Sequence, residues 1–273
     1  MLAFKQVCMA RRLGSLFLVA ATTAAFADTA AGVKALESRN FTVAYQEFTA
    51  GAEHGDAVAI ANLGLMYARG FGIARDVPEA MKLWHQAAAK GNAQAEFYLG
   101  LMYAKGWGVQ QNLVEASRWL QAAAAQGDER AQSQIGLLYE DGVGVQQDYK
   151  MAASYYKLAA DKGLARAQYN LAQLTEKGKG VKRDDVAAFE LYRKAAAQGM
   201  AEAQERVGAM YASGIGVTAS PADALFWSAL AAKQNEKNAE RRLAALASRL
   251  PADEATRVKQ SVIDWKPTLT AAK

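Results

Sequence analysis

Cysteine is all but missing from this chain of 273 residues: there is one, Cys8, close to the amino terminus. A single sulfur makes neither an intramolecular disulfide nor a thiolate-rich metal site. Histidine is almost as scarce. His54 and His85 fall on different segments, each near the end of an expected helix, and read as helix-end surface residues. The sequence has no G-x-S-x-G, H-E-x-x-H, P-loop or G-x-G-x-x-G pattern. No nucleophile, base and oxyanion site are therefore set out as a hydrolase needs them, and neither a cofactor nor a metal is expected. Only four prolines occur, and alanine dominates the apolar fraction. That composition favours uninterrupted, closely packed helices. No apolar run after residue 27 reaches the roughly 18 residues that cross a bilayer. Charge of one sign is also short: 32 basic against 27 acidic side chains, a net of +5.

The first 27 residues read as an export leader. Lys5, Arg11 and Arg12 precede an apolar stretch from Leu13 to Ala24, and Ala25-Phe26-Ala27 makes a small-x-small site, so cleavage after Ala27 is predicted. A periplasmic or secreted chain starting at Asp28 follows, without Cys8 and without a membrane span. Removing the leader takes three cations and no acid, which leaves a net of +2. That balance lacks the electrostatic footprint of a nucleic-acid binder.

What is abundant is repetition. Gly55, Gly91, Gly127, Gly163 and Gly199 recur every 36 residues, and the same skeleton returns between them. Five units span residues 56–91, 92–127, 128–163, 164–199 and 200–233. In the second unit, Ala95, Leu99 and Tyr103 make one apolar stripe along a first helix. A Gly-x-Gly turn follows at 70/72, 106/108, 142/144, 178/180 and 214/216. A second helix then starts after Asp76, Asn112, Asp148, Asp184 or Ser220, all favoured N-caps. Glu79 and Glu115 lie three residues beyond their caps, as in a capping box. Residues 28–55 read as a capping helical hairpin, with Ala44, Phe48 and Ala52 in phase. Residues 234–267 read as capping helices over 235–250 and 253–265, the first carrying Arg241, Arg242 and Arg249, and 268–273 as a tail. The expectation is an all-α, right-handed solenoid.

The residues Ala93, Ala95, Leu99, Gly100, Tyr103, Gly106, Gly108, Val109, Asn112 and Ala116 carry a pattern that resembles the Sel1-like repeat family, a relative of the tetratricopeptide repeats. The fourth unit departs from it, with Ala172 for Gly and Thr175 for Tyr, and looser packing is expected there. The resemblance implies a scaffold for a protein or peptide partner, with roles in envelope signalling or assembly. It also raises an alternative, because cysteine-rich relatives are reported as penicillin-binding or β-lactamase proteins. Ser154-Tyr155-Tyr156-Lys157 matches S-x-x-K, but without S-D-N or K-T-G companions. Tyr155 and Tyr156 also hold positions that pack in the other copies. A non-enzymatic monomer is the preferred reading. Lys177, Lys179, Lys182 and Arg183 stand beside Glu176, Asp184 and Asp185, as in a solvated mixed-charge loop. Phe71 and Trp107, inside the Gly-x-Gly turns, suit packing or a carbohydrate contact.

A helix turns by about 100° per residue, which places Gln94, Phe97, Leu101 and Lys105 opposite the Leu99 stripe. By analogy with tetratricopeptide solenoids, that side lines a concave groove. Along the repeats the candidate groove residues are Val58, Leu65, Gln94, Phe97, Leu101, Lys105, Arg130, Leu137, Arg166 and Tyr169. Such a strip suits an apolar peptide or helix with an acidic group.

Overall fold

The computed structural model describes residues 28–268 apart from residues 235, 237, 238, 240, 241, 244, 247 and 248. The leader, Cys8, Arg241 and the tail beyond 268 lie outside the described residues. Among the described residues there are thirteen helices and no strand. A hairpin of α1 (Thr29–Glu37) and α2 (Phe41–Glu53) comes first. Five pairs follow: α3 (Ala57–Arg69) with α4 (Val77–Ala88), α5 (Ala93–Lys105) with α6 (Leu113–Ala125), and α7 (Glu129–Asp141) with α8 (Tyr149–Asp161). The last two are α9 (Ala165–Lys177) with α10 (Asp185–Ala197) and α11 (Ala201–Ser213) with α12 (Pro221–Ala232). Ala239, Arg242, Leu243, Ala245 and Leu246 are helical within the predicted 235–250 segment, and α13 (Ala252–Asp264) ends the series. From α1 to α12 each helix packs on its successor, and α13 packs on α12, which makes an α-solenoid.

The chain enters and leaves each helix by local chemistry. The Gly127 N–H donates to the Ala124 carbonyl at 3.0 Å and the Asp128 N–H to the Ala123 carbonyl at 3.1 Å, which closes α6 as a Schellman motif. The Asp128 carboxylate then accepts from the Arg130 and Ala131 N–H groups, both at 2.9 Å, and opens α7. One dipeptide thus ends one helix and starts the next. The predicted caps of the second helices all accept a first-turn N–H; Asn112, for example, accepts from Glu115 at 3.1 Å. The capping box is only half formed. The cap N–H of Asp76 donates to the Tyr67 carbonyl and that of Asn112 to the Tyr103 carbonyl, both at 3.0 Å. With those donors engaged, Glu79 turns to Lys82 and Glu115 to Arg118.

The first helix of each pair is packed on two sides. In α5, Leu99 joins the core with Trp84, Ala87 and Met66 of the preceding repeat. Phe97, two residues away, joins Ala123, Ala124, Ala131 and Ile135 toward the following repeat. This corrects the placing of Phe97 on an open strip: side-to-side stacking of repeats buries it, leaving only 7% exposed. The fourth repeat, expected to pack more loosely, buries Ala172 fully and ties the Tyr192 phenol to Glu176 at 2.9 Å. At the ends, Ala44 and Phe48 are fully buried, and the Thr268 N–H donates to the Ala197 carbonyl at 2.8 Å.

A polar ladder runs beside the apolar stack. The buried amides of Gln132, Gln168 and Gln204 donate back to the Ala124, Ala160 and Ala196 carbonyls at 3.2, 3.3 and 3.2 Å. Glu96 holds the same position in the second repeat, and as a carboxylate it has no N–H to give. It accepts from Gln126 at 2.7 Å, yet burial raises its pKa above the ordinary 4.5. A folded pKa above the unfolded one means that the unfolded chain ionises first as pH rises. Stability is then lost as pH climbs from the unfolded value through the folded one. Glu96→Gln supplies the missing donor, so it is expected to stabilise the chain by about 1 kcal/mol at pH 7. The gain should shrink toward pH 4. Urea unfolding at both pH values checks this, and an equal or larger gain at pH 4 would contradict it.

Candidate functional site

Two clefts open over equivalent rows of the first helices. The first lies between repeats one and two and encloses about 570 Å³. Its floor is the indole of Trp84 against the ring of Tyr98, stacked at 4.9 Å between centroids and 20° between planes. Leu65 and Leu101 form its walls, and Arg69, Arg75 and Trp107 its rim. Trp84 cannot swing away freely, because its Nε1–H donates to the Ala61 carbonyl at 3.0 Å. The second cleft uses the same rows at repeats four and five, with Tyr169, Gln173, Glu176, Tyr192 and Arg206. Gln173 stands where Leu65 stood, Tyr192 where Trp84 stood, and Glu176 where Ala68 stood. The walls have become polar and satisfy one another. Glu176 accepts from Tyr192 and pairs with Arg206. Burial pushes the Tyr192 phenol up, so it stays a donor to Glu176.

The sequence-predicted residues separate accordingly. Leu65 and Leu101 line the first cleft and Tyr169 the second. Val58, Lys105, Leu137 and Arg166 are exposed, and Arg166 reaches Glu202 at 3.3 Å. Gln94 is half-buried and donates to Asn62 at 3.3 Å. Arg130 does not stand free in a groove. Asp128 holds its guanidinium at 2.6 Å, and the cation caps the Phe97 ring at 4.4 Å from its centroid. That cap is a second reason why Phe97 is closed to a partner. Sequence reasoning missed Trp84, Tyr98, Arg69 and Arg75. Tyr98 belongs to the row Asn62, Tyr98, Gln134, Asn170 and Arg206. A row that changes chemistry from copy to copy, while the core rows repeat, was the available signal.

Side chains with reactive potential are engaged elsewhere. Ser154 and Lys157 lie on an exposed face of α8, where the Lys157 ammonium pairs with Asp161 at 2.9 Å. His85 is exposed and sits edge-on to Trp119 and Tyr103, at 5.7 and 6.4 Å. Lys179 lies over the Tyr149 ring at 4.7 Å, and Arg183 pairs with Asp185 at 2.9 Å. The two turn aromatics differ: Phe71 stacks on Phe41 at 5.1 Å, whereas Trp107 is 58% exposed. Among the described residues no group of three or more His, Cys, Asp or Glu is placed to hold a metal ion, and no helix is long and apolar enough to cross a membrane.

Comparison with known proteins agrees with this architecture. The Sel1 repeat model matches residues 57–92, 93–128, 129–164, 165–200 and 201–236. A search of curated proteins finds no match. Among solved structures, a Sel1 repeat protein from Oxalobacter formigenes is similar at 30% identity and a TM-score of 0.73, over 88% of this chain and 100% of that one. A protective antigen of uropathogenic Escherichia coli with an SLR fold is similar at 32% identity and a TM-score of 0.73. That match covers 82% of this chain and 49% of the antigen, so the chain spans about half of that relative's length.

Proposed function

This chain belongs to the Sel1 repeat family, whose members are generally scaffolds for protein–protein interaction, and from that premise we propose an exported, non-catalytic scaffold that holds a partner in the cleft of its first repeats. The observation that carries the reading is that cleft: a hollow walled by Leu65 and Leu101 over the Tyr98 ring, while the equivalent cleft at repeats four and five, of the same volume, is lined by polar side chains already bonded to one another. An open apolar hollow with a few polar groups at its rim suits a side chain of another protein. Export rests on the leader-like pattern of residues 1–27, and a protective antigen among the relatives fits a chain that leaves the cytoplasm.

The test has two readouts. Expressed in a Gram-negative host, the chain is expected in the periplasmic fraction with Asp28 as its first residue. Crosslinking in that compartment is expected to recover the same protein partner each time. A leader that stays attached in the cytoplasm refutes export, and turnover of a substrate by the purified chain alone refutes the scaffold. The hydrolase alternative predicts that a labelled β-lactam acylates the chain and that Ser154→Ala abolishes the label. The Lys157–Asp161 pair speaks against it.

A further inference from the structure

The rim of the first cleft carries two cations that the fold leaves without an opposite charge. Arg69 and Arg75 both border it, and neither makes an ion pair among the described residues. Arg75 has a local structural role, since its Nε–H donates to the Ala68 carbonyl at 3.2 Å and latches the turn. That latch needs no charge. Gln111 latches the second turn to Ala104 at 2.9 Å, and Gln147 the third to Glu140 at 2.8 Å, each with a neutral amide. Arg183, the other arginine in this row, is neutralised by Asp185. The charge of Arg75 is therefore unexplained by folding, and it stands, with Arg69, at the edge of an apolar hollow. A carboxylate there would meet guanidinium donors beside a surface that excludes water, where charge-assisted hydrogen bonds are strongest.

We propose that this cleft takes an extended segment of a partner protein in which an acidic side chain stands next to a bulky apolar one. The apolar side chain lies on Tyr98, which Trp84 backs from beneath, between Leu65 and Leu101, and the acid meets Arg69 and Arg75. The proposal rests on the scaffold reading above and names the chemistry of its partner. Residues 1–27 do not fit this chemistry. They carry three cations and no acidic side chain.

A library of random decapeptides, tethered at both ends so that no free carboxylate is offered, is selected on the purified chain. Enriched peptides are expected to pair an acid with Trp, Phe, Leu or Met. Measured by fluorescence anisotropy, their binding should weaken at least about tenfold on the Arg69→Gln/Arg75→Gln variant and fall with added salt. Gln at position 75 keeps the latch, as Gln111 shows, so the melting temperature should stay unchanged. Enriched peptides without an acid, binding within about twofold on the variant, or no enrichment at all each overturn the proposal. A dimer that disperses in the variant also overturns it, and makes a second copy the occupant. A partner crosslinked in the periplasm that binds the variant undiminished sinks this assignment while leaving the scaffold standing. Failure to recover any partner strikes the scaffold itself.

Discussion

Replacing Phe97 by alanine is expected to destabilise the chain by about 3–5 kcal/mol, as much as Leu99→Ala at about 2–5 kcal/mol, although the two side chains leave opposite sides of one helix. A helix on the surface of a globular domain buries one stripe and shows the other to water, and by that rule Phe97 is expendable. Here α5 is an inner layer. Leu99 is fully buried toward the Trp84 side, and Phe97 fills the space between Ala123, Ala131 and Ile135 on the other. Truncating the ring leaves a hole at the junction of repeats two and three. It also unseats Arg130, whose guanidinium lies over that ring. Because each repeat touches only its neighbours, the two lesions should separate in space. Hydrogen exchange should show Leu99→Ala loosening repeats one and two, and Phe97→Ala loosening repeats two and three. A Phe97→Ala protein that melts within about 1 kcal/mol of wild type would return Phe97 to the surface and reopen the middle of the groove as a binding strip.

Phe97 also marks where the sequence stops being legible. The period of 36 residues, the five N-caps and the paired glycines are local signals, set by backbone geometry within a few residues, and the structure places them where they were read. The face of a helix that remains open is set by what stacks beyond it, and that is not written in the helix. The Ala95, Leu99 and Tyr103 stripe shows that α5 has a core side; nothing in it shows that α7 covers the other side. The half-formed capping box fails for the same reason. Glu79 and Glu115 stand at the right spacing, but the cap N–H they would accept is already given to a tyrosine carbonyl across the turn. The candidate site was half legible. Leu65 and Leu101 follow from helical phase, whereas Trp84 comes from the other helix of its pair and reads from sequence as pure core. Arg75 reads as a turn residue until its neutral counterparts, Gln111 and Gln147, are seen making the same bond.

The second large effect is expected at Gly144, where alanine should cost about 2–4 kcal/mol. Two costs combine there. The φ of +71° lies in the left-handed region, which a residue with a Cβ enters only under strain. In addition, a Cβ would overlap the backbone carbonyl of Leu113, the first residue of the preceding repeat's second helix. Backbone at a helix start cannot move aside as a flexible side chain can, so the two repeats must part. Gly142 separates the costs. Its φ of +70° is nearly the same, but its added Cβ would meet the Gln147 side chain at 3.0 Å within its own turn. Gly142→Ala should therefore show mainly the conformational strain, about 1 kcal/mol. The difference between the two variants measures how tightly repeat three is seated on repeat two. Ser117 adds a hydroxyl contact to the Gly144 carbonyl at 3.4 Å that the displacement would also lengthen. Gly144→Ala should broaden the urea transition as the array divides at this junction, with protection retained in repeats four and five. Equal losses at Gly142 and Gly144 would mean that the second glycine of the turn serves only its backbone angle, and that the repeats are coupled by their side chains alone.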